Sequence, residues 1–516
     1  MQEKWIKDID TLNKRRSAVI TAGGAARIEK QHAAGKLTAR ERLEALFDDD
    51  TFVEINDMIS SRASDFGMDK KKKPGDGVVT GYGKIHGRTA FVSSQDFTIG
   101  GGSLGEAHAQ KICRAMDLAL ANKAPFISIN DSGGARIEEG IDSLSGYADI
   151  FYRNTIASGV IPQISVILGP CAGGACYSPA ITDYIFMTEK NSQMYITGPA
   201  VVKSVTGEVI SAADLGGAAV HGGTSGVSHF VYPDELSCLN GVRKLLGYLP
   251  QNNEGRSLVV PGKAVDRCEA LADIVPADPK KGYDVRDVIA VFVDENSFFE
   301  IQPDFARNIV VGFARLDGKT IGIVANQAAF MAGSLEINAS DKGARFIRFC
   351  DCFNIPILTL VDVPAFLPGS QQEHNGIIRH GAKMLFAYAE ATVPKVSVIM
   401  RKAYGGAYIA MNSKGLGADL VYAWPIAEIA VMGASGAVAI IGKSAIDAAE
   451  DPAAKKAELI DEYNQKFMNP YVAAEHGYVD EVIHPKETRE RIVTAFEMLE
   501  NKSKSLPRKK HGNIPL

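Results

Sequence analysis

The sequence predicts an α/β protein built from two copies of one domain. The segments IPQISVILGPCAGGAC and VPKVSVIMRKAYGGAY each carry an apolar strand-like run into Gly-Gly-Ala, and the triplets begin at Gly173 and Gly405. Upstream of them, the runs PFISIND and PILTLVD end at Asp131 and Asp362, in nearly the same register. Downstream, SQMYITG and AEIAVMG form a third pair with only a small drift in spacing. Three landmarks in the same order indicate an internal duplication.

Within each copy, apolar strands alternate with helical segments. From about residue 77 to 245, the strands TAFVSS, PFISIN and PQISVIL alternate with helical stretches such as GEAHAQKICRAMDLAL. From 283 to about 445, the strands IGIVANQ, PILTLVD and KVSVIM alternate with the helices KGARFIRFCDCF and IIRHGAKMLFAYAEA. This alternation is typical of crossover units and predicts a mainly parallel, buried sheet in each copy.

The segments outside the two repeats are recognised by charge and turn formers. Residues 1–50 read as helical and highly charged, and Thr38 and Glu41 form a capping box. Turn formers concentrate at 250–282. The basic end KSLPRKKHGNIPL lacks apolar periodicity and reads as a tail or docking arm. We predict domains at residues 1–258 and 283–501, a linker at 259–282 and a basic tail at 502–516.

The composition is that of an ordinary soluble globular protein, with 46% apolar and 23% charged residues among 516. A net charge of −5 gives no general attraction to nucleic acid or anionic membranes, so nucleic acid is not an expected partner. Apolar runs are shorter than the roughly 20 residues of a membrane helix, and the first thirty residues are charged. We therefore expect a cytoplasmic protein. The seven scattered cysteines fit neither a disulfide framework nor a zinc site.

A strand that ends in Gly-Gly-Ala can form an oxyanion hole. Glycine lets a ligand approach the backbone closely, and two successive N–H groups at a helix N-terminus can point at one oxygen. Close packing of a helix against the sheet would be the better explanation of a single occurrence. Its repetition in register favours the functional interpretation. The candidate catalytic residues are Gly173, Gly174, Ala175, Gly405, Gly406 and Ala407.

Other catalytic groups receive weaker support from the sequence. Asp131 and Asp362 end equivalent strands, but a turn in which each Asp accepts backbone N–H groups is the favoured interpretation. His380 lies on a predicted helix and is more typical of a core or capping residue than of a base. Cys171 and Cys176 flank the first Gly-Gly and are interpreted as buried packing residues. Catalytic-triad, zinc-protease and P-loop motifs are not found, and we predict no metal.

A protein with two oxyanion holes and no clear catalytic base can carry out only a limited range of reactions. One hole can hold the thioester oxygen of an acyl-CoA as it becomes an enolate, and the other can polarise a carbonyl on a second substrate. Carboxybiotin would bring its own base, because loss of its carboxyl group leaves a ureido anion that can take the α-proton. The enolate then attacks the released carbon dioxide. Carboxyl transfer from carboxybiotin is therefore one reaction that fits two holes without a base.

Two other classes of function remain open at this point. A crotonase-type hydratase or isomerase would need one or two glutamates beside the first hole. The segment GPCAGGACYSPA has none, although Glu138 and Glu139 follow DSGGAR. Such an enzyme would also leave the second hole idle. A non-catalytic scaffold for carrier domains would have no need of Gly-Gly-Ala at both sites.

Long motifs are spread over essentially the whole chain, among them RIEKQHAAGKLTARERL, SQDFTIGGGSLGEAHAQKI, DSGGARIEEGIDSLSGY, INASDKGARFIRFCD, GIIRHGAKML and AWPIAEIAVMGASGA. These segments resemble the carboxyltransferase subunits of biotin-dependent acyl-CoA enzymes. Examples are the β subunit of propionyl-CoA carboxylase, the α subunit of methylmalonyl-CoA decarboxylase and the large subunit of transcarboxylase. The resemblance implies two tandem crotonase-like domains and a homo-hexamer arranged as a trimer of dimers. Each active site would lie between the N-terminal domain of one subunit and the C-terminal domain of its dimer partner.

The resemblance also assigns roles to residues. The first Gly-Gly-Ala would hold the CoA thioester oxygen, and the second would hold the biotin ureido oxygen. Ile409 matches a position that influences acyl-chain choice in the family, where some propionyl-CoA carboxylases carry Asp. Lys36 and Arg40 would lie near the CoA phosphates. Tyr177 and Ala365 complete the residues that we expect to bind substrate.

The chain departs from the family pattern in its C-terminal half, near where biotin would enter. Many relatives read VDVPGFLPG, ANQP and EYGGIIRHG where this chain has Ala365, Ala328, and the pair His374 and Asn375. A biotin-carrier Met-Lys-Met motif and an ATP-grasp domain are not found. The resemblance therefore implies a separate biotin carrier protein as partner, with either a biotin carboxylase subunit or the membrane subunit of a sodium-pumping decarboxylase. The direction of the reaction stays open, and propionyl-CoA or methylmalonyl-CoA is the expected substrate.

Overall fold

The computed structural model describes residues 2–516, which form two compact units. The first unit ends at Arg256 and the second is Ser257–Leu516. Each unit has its own cluster of buried apolar side chains. The exact domain limits given above stay a prediction.

The first unit contains eight strands among its described residues. These are β1 Val53–Ile55, β2 Val78–Ile85, β3 Arg88–Gln95, β4 Phe126–Ser132, β5 Gln163–Ala172, β6 Tyr184–Thr188, β7 Gln193–Tyr195 and β8 Phe230–Tyr232. The helices are α1 Gln2–Ile20, α2 Ala25–Ala33, α3 Ala39–Leu46, α4 Met68–Lys71, α5 Glu106–Ala121, α6 Ile141–Ala157, α7 Gly174–Ile181, α8 Pro199–Thr206, α9 Ala212–Gly216, α10 Ala218–Gly223 and α11 Glu235–Tyr248. The predicted capping box of Thr38 and Glu41 is confirmed at the start of α3.

The second unit again contains eight strands. These are β9 Phe299–Ile301, β10 Ile309–Leu316, β11 Lys319–Asn326, β12 Ile357–Val363, β13 Lys395–Tyr404, β14 Leu420–Ala423, β15 Glu428–Ala430 and β16 Glu481–Val482. The helices are α12 Leu271–Ile274, α13 Val285–Ala290, α14 Ile337–Cys352, α15 Ser370–His374, α16 Ile377–Glu390, α17 Gly405–Ala410, α18 Ala434–Ile441, α19 Lys443–Asp447, α20 Pro452–Phe467, α21 Pro470–Glu475 and α22 Thr488–Met498. Within residues 2–516, none of the helices combines the length and the apolar character that crossing a bilayer requires.

The two sheets have the same topology. The first runs β1-β2-β3-β4-β5-β6-β8 with β7 beside β5, and the second runs β9-β10-β11-β12-β13-β14-β16 with β15 beside β13. In each sheet the first three strands are antiparallel, and the strands that follow are parallel. The prediction of a duplicated α/β domain with a mainly parallel sheet is therefore confirmed.

Each sheet contains an antiparallel hairpin that was not predicted from the sequence. Strands β2 and β3 join through His86 and Gly87, and β10 and β11 join through Asp317 and Gly318. All four loop residues have positive φ, between 49° and 77°. Two-residue turns of this kind favour Gly at their second position, because both residues adopt the left-handed conformation. The dipeptides His-Gly and Asp-Gly between apolar runs were the available signal.

A buried lysine ties each hairpin to the long helix that follows it. Lys111 on α5 donates to the carbonyl oxygens of Gly75 at 3.0 Å and Val78 at 2.5 Å. Lys342 on α14 donates to those of Gln302, Phe305 and Ile309 at 2.8 to 2.9 Å. Lys111 and Lys342 are separated by the same interval as Asp131 and Asp362, so the duplication extends to the polar contacts of the core. Each ammonium thus holds the segment that leads into the hairpin against the long helix, through several main-chain carbonyls at once.

The regions predicted as linker and tail make contacts within the second unit. Leu271 and Val275, inside the predicted linker, belong to that unit's buried apolar cluster. In the tail, Lys502 pairs with Asp419 at 2.7 Å, and the carbonyl of Leu516 accepts from Arg379 on α16 at 2.9 Å. Both regions therefore lie against the second unit.

Replacing Lys342 by Met tests the role of the buried lysines. Lys342→Met is expected to lower the free energy of unfolding by about 3 kcal/mol, because three main-chain carbonyls lose the hydrogen bond from a buried ammonium. Urea unfolding followed by circular dichroism measures the change. Lys319→Met is the matched control, because Lys319 is half exposed and lies 3.7 Å from Glu500; its effect should stay below about 1 kcal/mol. Equal effects of the two variants would contradict the assignment.

Candidate active site

The first Gly-Gly-Ala lies where β5 ends and α7 begins. Gly173 has φ 63° and ψ −129°, a conformation that essentially only glycine adopts. Its N–H donates to the carbonyl oxygen of Tyr195 at 3.1 Å. Helix α7 begins at Gly174, so the amides of Gly174 and Ala175 belong to its first turn, where N–H groups have no intrahelical acceptor. Gly173 therefore shapes the turn, and the next two amides are the donors that an oxygen could meet.

The second Gly-Gly-Ala repeats this turn between β13 and α17. Gly405 has φ 57°, close to the value at Gly173, and Tyr404 is the N-cap residue. Gly406 is exposed, whereas Ala407 is buried. Both triplets thus lie at a strand-to-helix turn opened by a glycine of positive φ.

The two central glycines differ in their surroundings. A Cβ added to Gly174 would lie 3.0 Å from the ring of Tyr147, whereas a Cβ on Gly406 would meet no atom within 4 Å. Packing against Tyr147 is thus sufficient to explain Gly174. Open space beside Gly406 fits the close approach of a ligand group to the backbone. No pattern in the sequence indicated that the ring of Tyr147 packs against Gly174.

Asp131, at the end of β4, lies in a buried cluster of charges. Its carboxylate pairs with Lys36 at 2.6 Å and with Arg42 at 3.0 Å, and it accepts from Gln31 at 3.2 Å. Arg42 also binds the carboxylate of Glu235 at 2.8 Å. The cations come from the N-terminal helical segment, where burial lowers the pKa of the Lys36 ammonium and Asp131 opposes this shift.

Asp362, at the end of β12, has cations of a different origin. Its carboxylate pairs with Arg401 at 3.0 Å and with Lys402 at 3.5 Å, both on β13. Gly169 occupies the position in the first unit that matches Arg401, at the same distance ahead of Gly-Gly-Ala. A Cβ on Gly169 would lie 1.9 Å from Asp131 and 2.8 Å from the Lys36 ammonium. Because Gly169 has no side chain, the ammonium of Lys36, which lies outside the repeat, has room beside Asp131.

These contacts correct the expectation that both aspartates accept N–H groups in turns. The principal partners of Asp131 and Asp362 are cationic side chains. Asp362 does accept one main-chain N–H, from Lys402 at 3.1 Å, but Lys402 lies on β13 and not in the turn that follows Asp362. Each Asp main-chain N–H donates to a side-chain oxygen on the preceding strand, of Gln95 and Asn326 respectively, at 3.1 Å in both units. The two carboxylates are therefore held in place within buried ion clusters.

The residues predicted to bind substrate occupy several places. Lys36 is buried against Asp131, and Arg40 pairs with Glu54 at 2.7 Å. Both cations are therefore engaged with carboxylates of the first unit. Their assignment to the CoA phosphates stays a prediction.

The other three predicted residues are accessible or near the sheet edge. Tyr177 on α7 and Ile409 on α17 are half exposed and lie at equivalent positions, each equally far beyond the first glycine of its triplet. Ala365 follows β12, and its carbonyl accepts from the N–H of Leu335 at 3.0 Å. Their roles in substrate binding also stay predictions.

The two cysteines that flank the first Gly-Gly are buried packing groups. Cys171 is buried and donates to the carbonyl of Ala175 at 3.0 Å, and Cys176 lies beside Gly173 in the same way. Burial raises the pKa of both thiols, which disfavours the reactive thiolate. The interpretation of both as buried residues is confirmed.

Comparison with known proteins identifies close relatives along the whole chain. The family model described as carboxyl transferase domain matches residues 30–514. The carboxyltransferase subunit of propionyl-CoA carboxylase from Haloferax mediterranei is 58% identical over 98% of this chain and 99% of its own. Methylmalonyl-CoA decarboxylase subunit alpha from Propionigenium modestum is 56% identical over 99% of both chains. The methylmalonyl-CoA carboxyltransferase 12S subunit from Propionibacterium freudenreichii subsp. shermanii is 55% identical over 98% of this chain and 97% of its own.

A solved structure shares the fold. Transcarboxylase 12S, described as a hexamer assembly with methylmalonyl-coenzyme A and methylmalonic acid bound, superposes with a TM-score of 0.96. It is 54% identical and covers 98% of both chains. The resemblance noted in the sequence and the two-domain crotonase-like fold that it implied are both confirmed.

Alanine at the two central glycines tests the difference between the turns. Gly174→Ala is expected to lower the free energy of unfolding by about 1–3 kcal/mol, because its methyl meets the ring of Tyr147. Gly406→Ala should change it by less than about 1 kcal/mol, because the site is open and the backbone is ordinary. Urea unfolding of both variants measures the difference, and an equal loss in Gly406→Ala would contradict it.

Proposed function

The chain belongs to the carboxyl transferase domain family, and we propose that it moves a carboxyl group between carboxybiotin on a separate carrier protein and the α-carbon of a short-chain acyl-CoA. Propionyl-CoA and methylmalonyl-CoA are the proposed acyl pair, because the most similar relatives act on these compounds by name. The observation that carries the proposal is the strand, Gly-Gly-Ala and helix repeated in both units. A reaction with two developing oxyanions uses both copies.

We assign the thioester oxygen of acyl-CoA to the first hole. The amides of Gly174 and Ala175 lie in the first turn of α7, which follows β5 directly. The ring of Tyr147 packs beside Gly174 and limits the movement of this turn. Donors held in this way need no reorganisation as negative charge grows on the oxygen, and the helix N-terminus adds a favourable partial charge. The enolate of the acyl group is thereby stabilised more than the thioester itself.

We assign the biotin ureido oxygen to the second hole. The exposed Gly406 has open space where a side chain would stand, so a ring carried by another protein can approach the backbone. When bound, carboxybiotin supplies the carboxyl group and then the base for the α-proton. The chain's own part is to hold the ureido oxygen with the amides of Gly406 and Ala407.

The buried ion clusters fit a chain that provides no base of its own. Asp131 and Asp362 are each paired with two cations and do not have a free lone pair directed at solvent. Glu139, a candidate base under the hydratase hypothesis, is paired with Arg136 at 2.7 Å and accepts from the N–H of Glu106. These contacts favour carboxyl transfer over a hydratase or isomerase.

Assembly and partners follow from the same proposal. We propose a homo-hexamer arranged as a trimer of dimers, with each site completed by a second copy of the chain. The carrier protein and either a biotin carboxylase or a membrane decarboxylase subunit would complete the enzyme, which we place in the cytoplasm. Relatives named as carboxylase and as decarboxylase are about equally similar, at 58% and 56% identity, so both directions are proposed for this half-reaction.

The proposal is tested with purified protein, free biotin and a panel of malonyl-CoA, methylmalonyl-CoA and glutaconyl-CoA. Biotin-dependent loss of the acyl carboxyl group, followed by mass spectrometry, is expected with methylmalonyl-CoA because it is the carboxylated member of the proposed pair. The same loss without biotin would contradict the role of the second hole. Turnover of an enoyl-CoA without biotin would move the protein to the hydratase and isomerase class.

Gly406→Val tests the second hole directly. Its side chain would occupy the open space over the amides and is expected to lower transfer by about 100-fold or more, while CoA binding is retained. Gly415→Val is the matched control, because Gly415 is also exposed, has ordinary φ and has no atom within 4 Å of an added Cβ. The biotin-dependent assay and calorimetric titration with CoA give the two readouts. Full activity of Gly406→Val would refute the assignment.

A further inference from the structure

The two units differ at the last rung of strand pairing before Gly-Gly-Ala. In the first unit, Ala172 of β5 pairs with Tyr195 of β7. In the second unit, Tyr404 of β13 pairs with Ala430 of β15. Each of these pairs contains one tyrosine and one alanine, but the tyrosine lies on the shorter strand β7 in the first unit and on the longer strand β13 in the second. Both units therefore place a tyrosine beside the turn, but only the second places it on the residue that precedes the glycine.

The partner of the tyrosine also differs between the units. Gln193 and Glu428 occupy equivalent positions on β7 and β15, opposite Pro170 and Lys402 respectively. The hydroxyl of Tyr195 lies 3.5 Å from the side-chain oxygen of Gln193. In the second unit, the hydroxyl of Tyr404 donates to the carboxylate of Glu428. The contact is therefore neutral at the first hole and charge-assisted at the second, and a charged acceptor makes the stronger hydrogen bond.

The second turn needs such a restraint more than the first. The ring of Tyr147 stands 3.0 Å from the position of a Cβ on Gly174, whereas Gly406 has open space. Helix α17 also has six residues, against eight in α7. Packing that fixes the first pair of amides is thus missing around Gly406.

We propose that Tyr404 and Glu428 are positioning residues for the biotin-side hole. Tyr404 is the N-cap of α17 and pairs with Ala430 of β15, and its hydroxyl donates to Glu428 on the same strand. The residue that leads into Gly405 is thus held against β15 by both its main chain and its side chain, and this restrains the start of the helix that carries the Gly406 and Ala407 amides. This inference rests on the proposed function and adds to it the means by which the second hole keeps its shape without a side chain packed against it.

The charges around the pair are consistent with this role. Lys402, opposite Glu428, pairs with Asp362, which also binds Arg401. Two cations and two carboxylates thus balance beside the hole, and Glu428 leaves no net charge to repel an oxyanion. Burial raises the pKa of Tyr404, and the bond to Glu428 raises it further, so the hydroxyl remains a donor.

The test measures both substrates of the full-length protein, with free biotin and methylmalonyl-CoA. Tyr404→Phe and Glu428→Ala are expected to lower kcat/KM for biotin about tenfold or more, because small misplacements of donors are costly. The KM for methylmalonyl-CoA should stay within about twofold, since the first hole is unchanged. Glu428→Gln restores an acceptor like Gln193 and should recover most of the lost activity. Tyr422→Phe, on β14 of the same sheet, is the control and should match the unaltered protein.

The outcomes separate this inference from the proposed function. If Tyr404→Phe and Glu428→Ala leave transfer unchanged while Gly406→Val abolishes it, the positioning role is refuted and the proposed function stands. If the variants change the kinetic constants for biotin and for methylmalonyl-CoA equally and also lower the melting temperature, the pair is structural and the inference is again refuted. If Gly406→Val retains full activity, or the unaltered protein shows no biotin-dependent reaction, the proposed function fails first. Should Tyr404→Phe not fold, the two Glu428 variants test the same bond.

Discussion

The turn from strand into helix at a glycine of positive φ is the constraint on which the rest of this structure depends. At Gly173 and Gly405 the chain leaves the sheet in a conformation that a side chain would strain, and the amides that follow belong to the first turn of a helix. The strands that lead into the two turns, β5 and β13, lie inside their sheets with a parallel strand on each side. The proposed stabilisation of two oxyanions by backbone groups needs the turn twice, and the duplication supplies it.

Duplication preserved the position of each turn but not the way in which it is supported. Asp131 and Asp362 are equivalent, yet the first is neutralised by Lys36 and Arg42 from the N-terminal segment and the second by cations on the adjacent strand. The absence of a side chain at Gly169 is what makes room for the first arrangement. An ion cluster that spans segments far apart in sequence fixes the N-terminal helices to the core of the first unit, since a buried carboxylate that lost its partner would be strongly destabilising.

The same divergence suits the proposal that the two turns meet different substrates. In the first turn the ring of Tyr147 lies against Gly174. The second turn has open space beside Gly406, and the preceding Tyr404 is hydrogen-bonded to the carboxylate of Glu428. A coenzyme A thioester and a ring carried on another protein place different demands on access. Copies of one domain can therefore specialise by changing the neighbours of the turn, while the turn itself stays the same.

The sequence by itself determined the duplication, the α/β class, the position of both Gly-Gly-Ala turns and the family, because these rest on local patterns: strand periodicity, glycine requirements and long ordered motifs. It did not reveal the hairpins at His86–Gly87 and Asp317–Gly318, and it assigned Asp131 and Asp362 to turns. Only the tertiary structure decided the partners of those aspartates, the packing of Tyr147 on Gly174, and the bond between Tyr404 and Glu428. Each of these contacts joins residues from different elements. Their pairing is set by how the strands and helices pack, and a local sequence pattern contains no information about which distant residues this packing brings together.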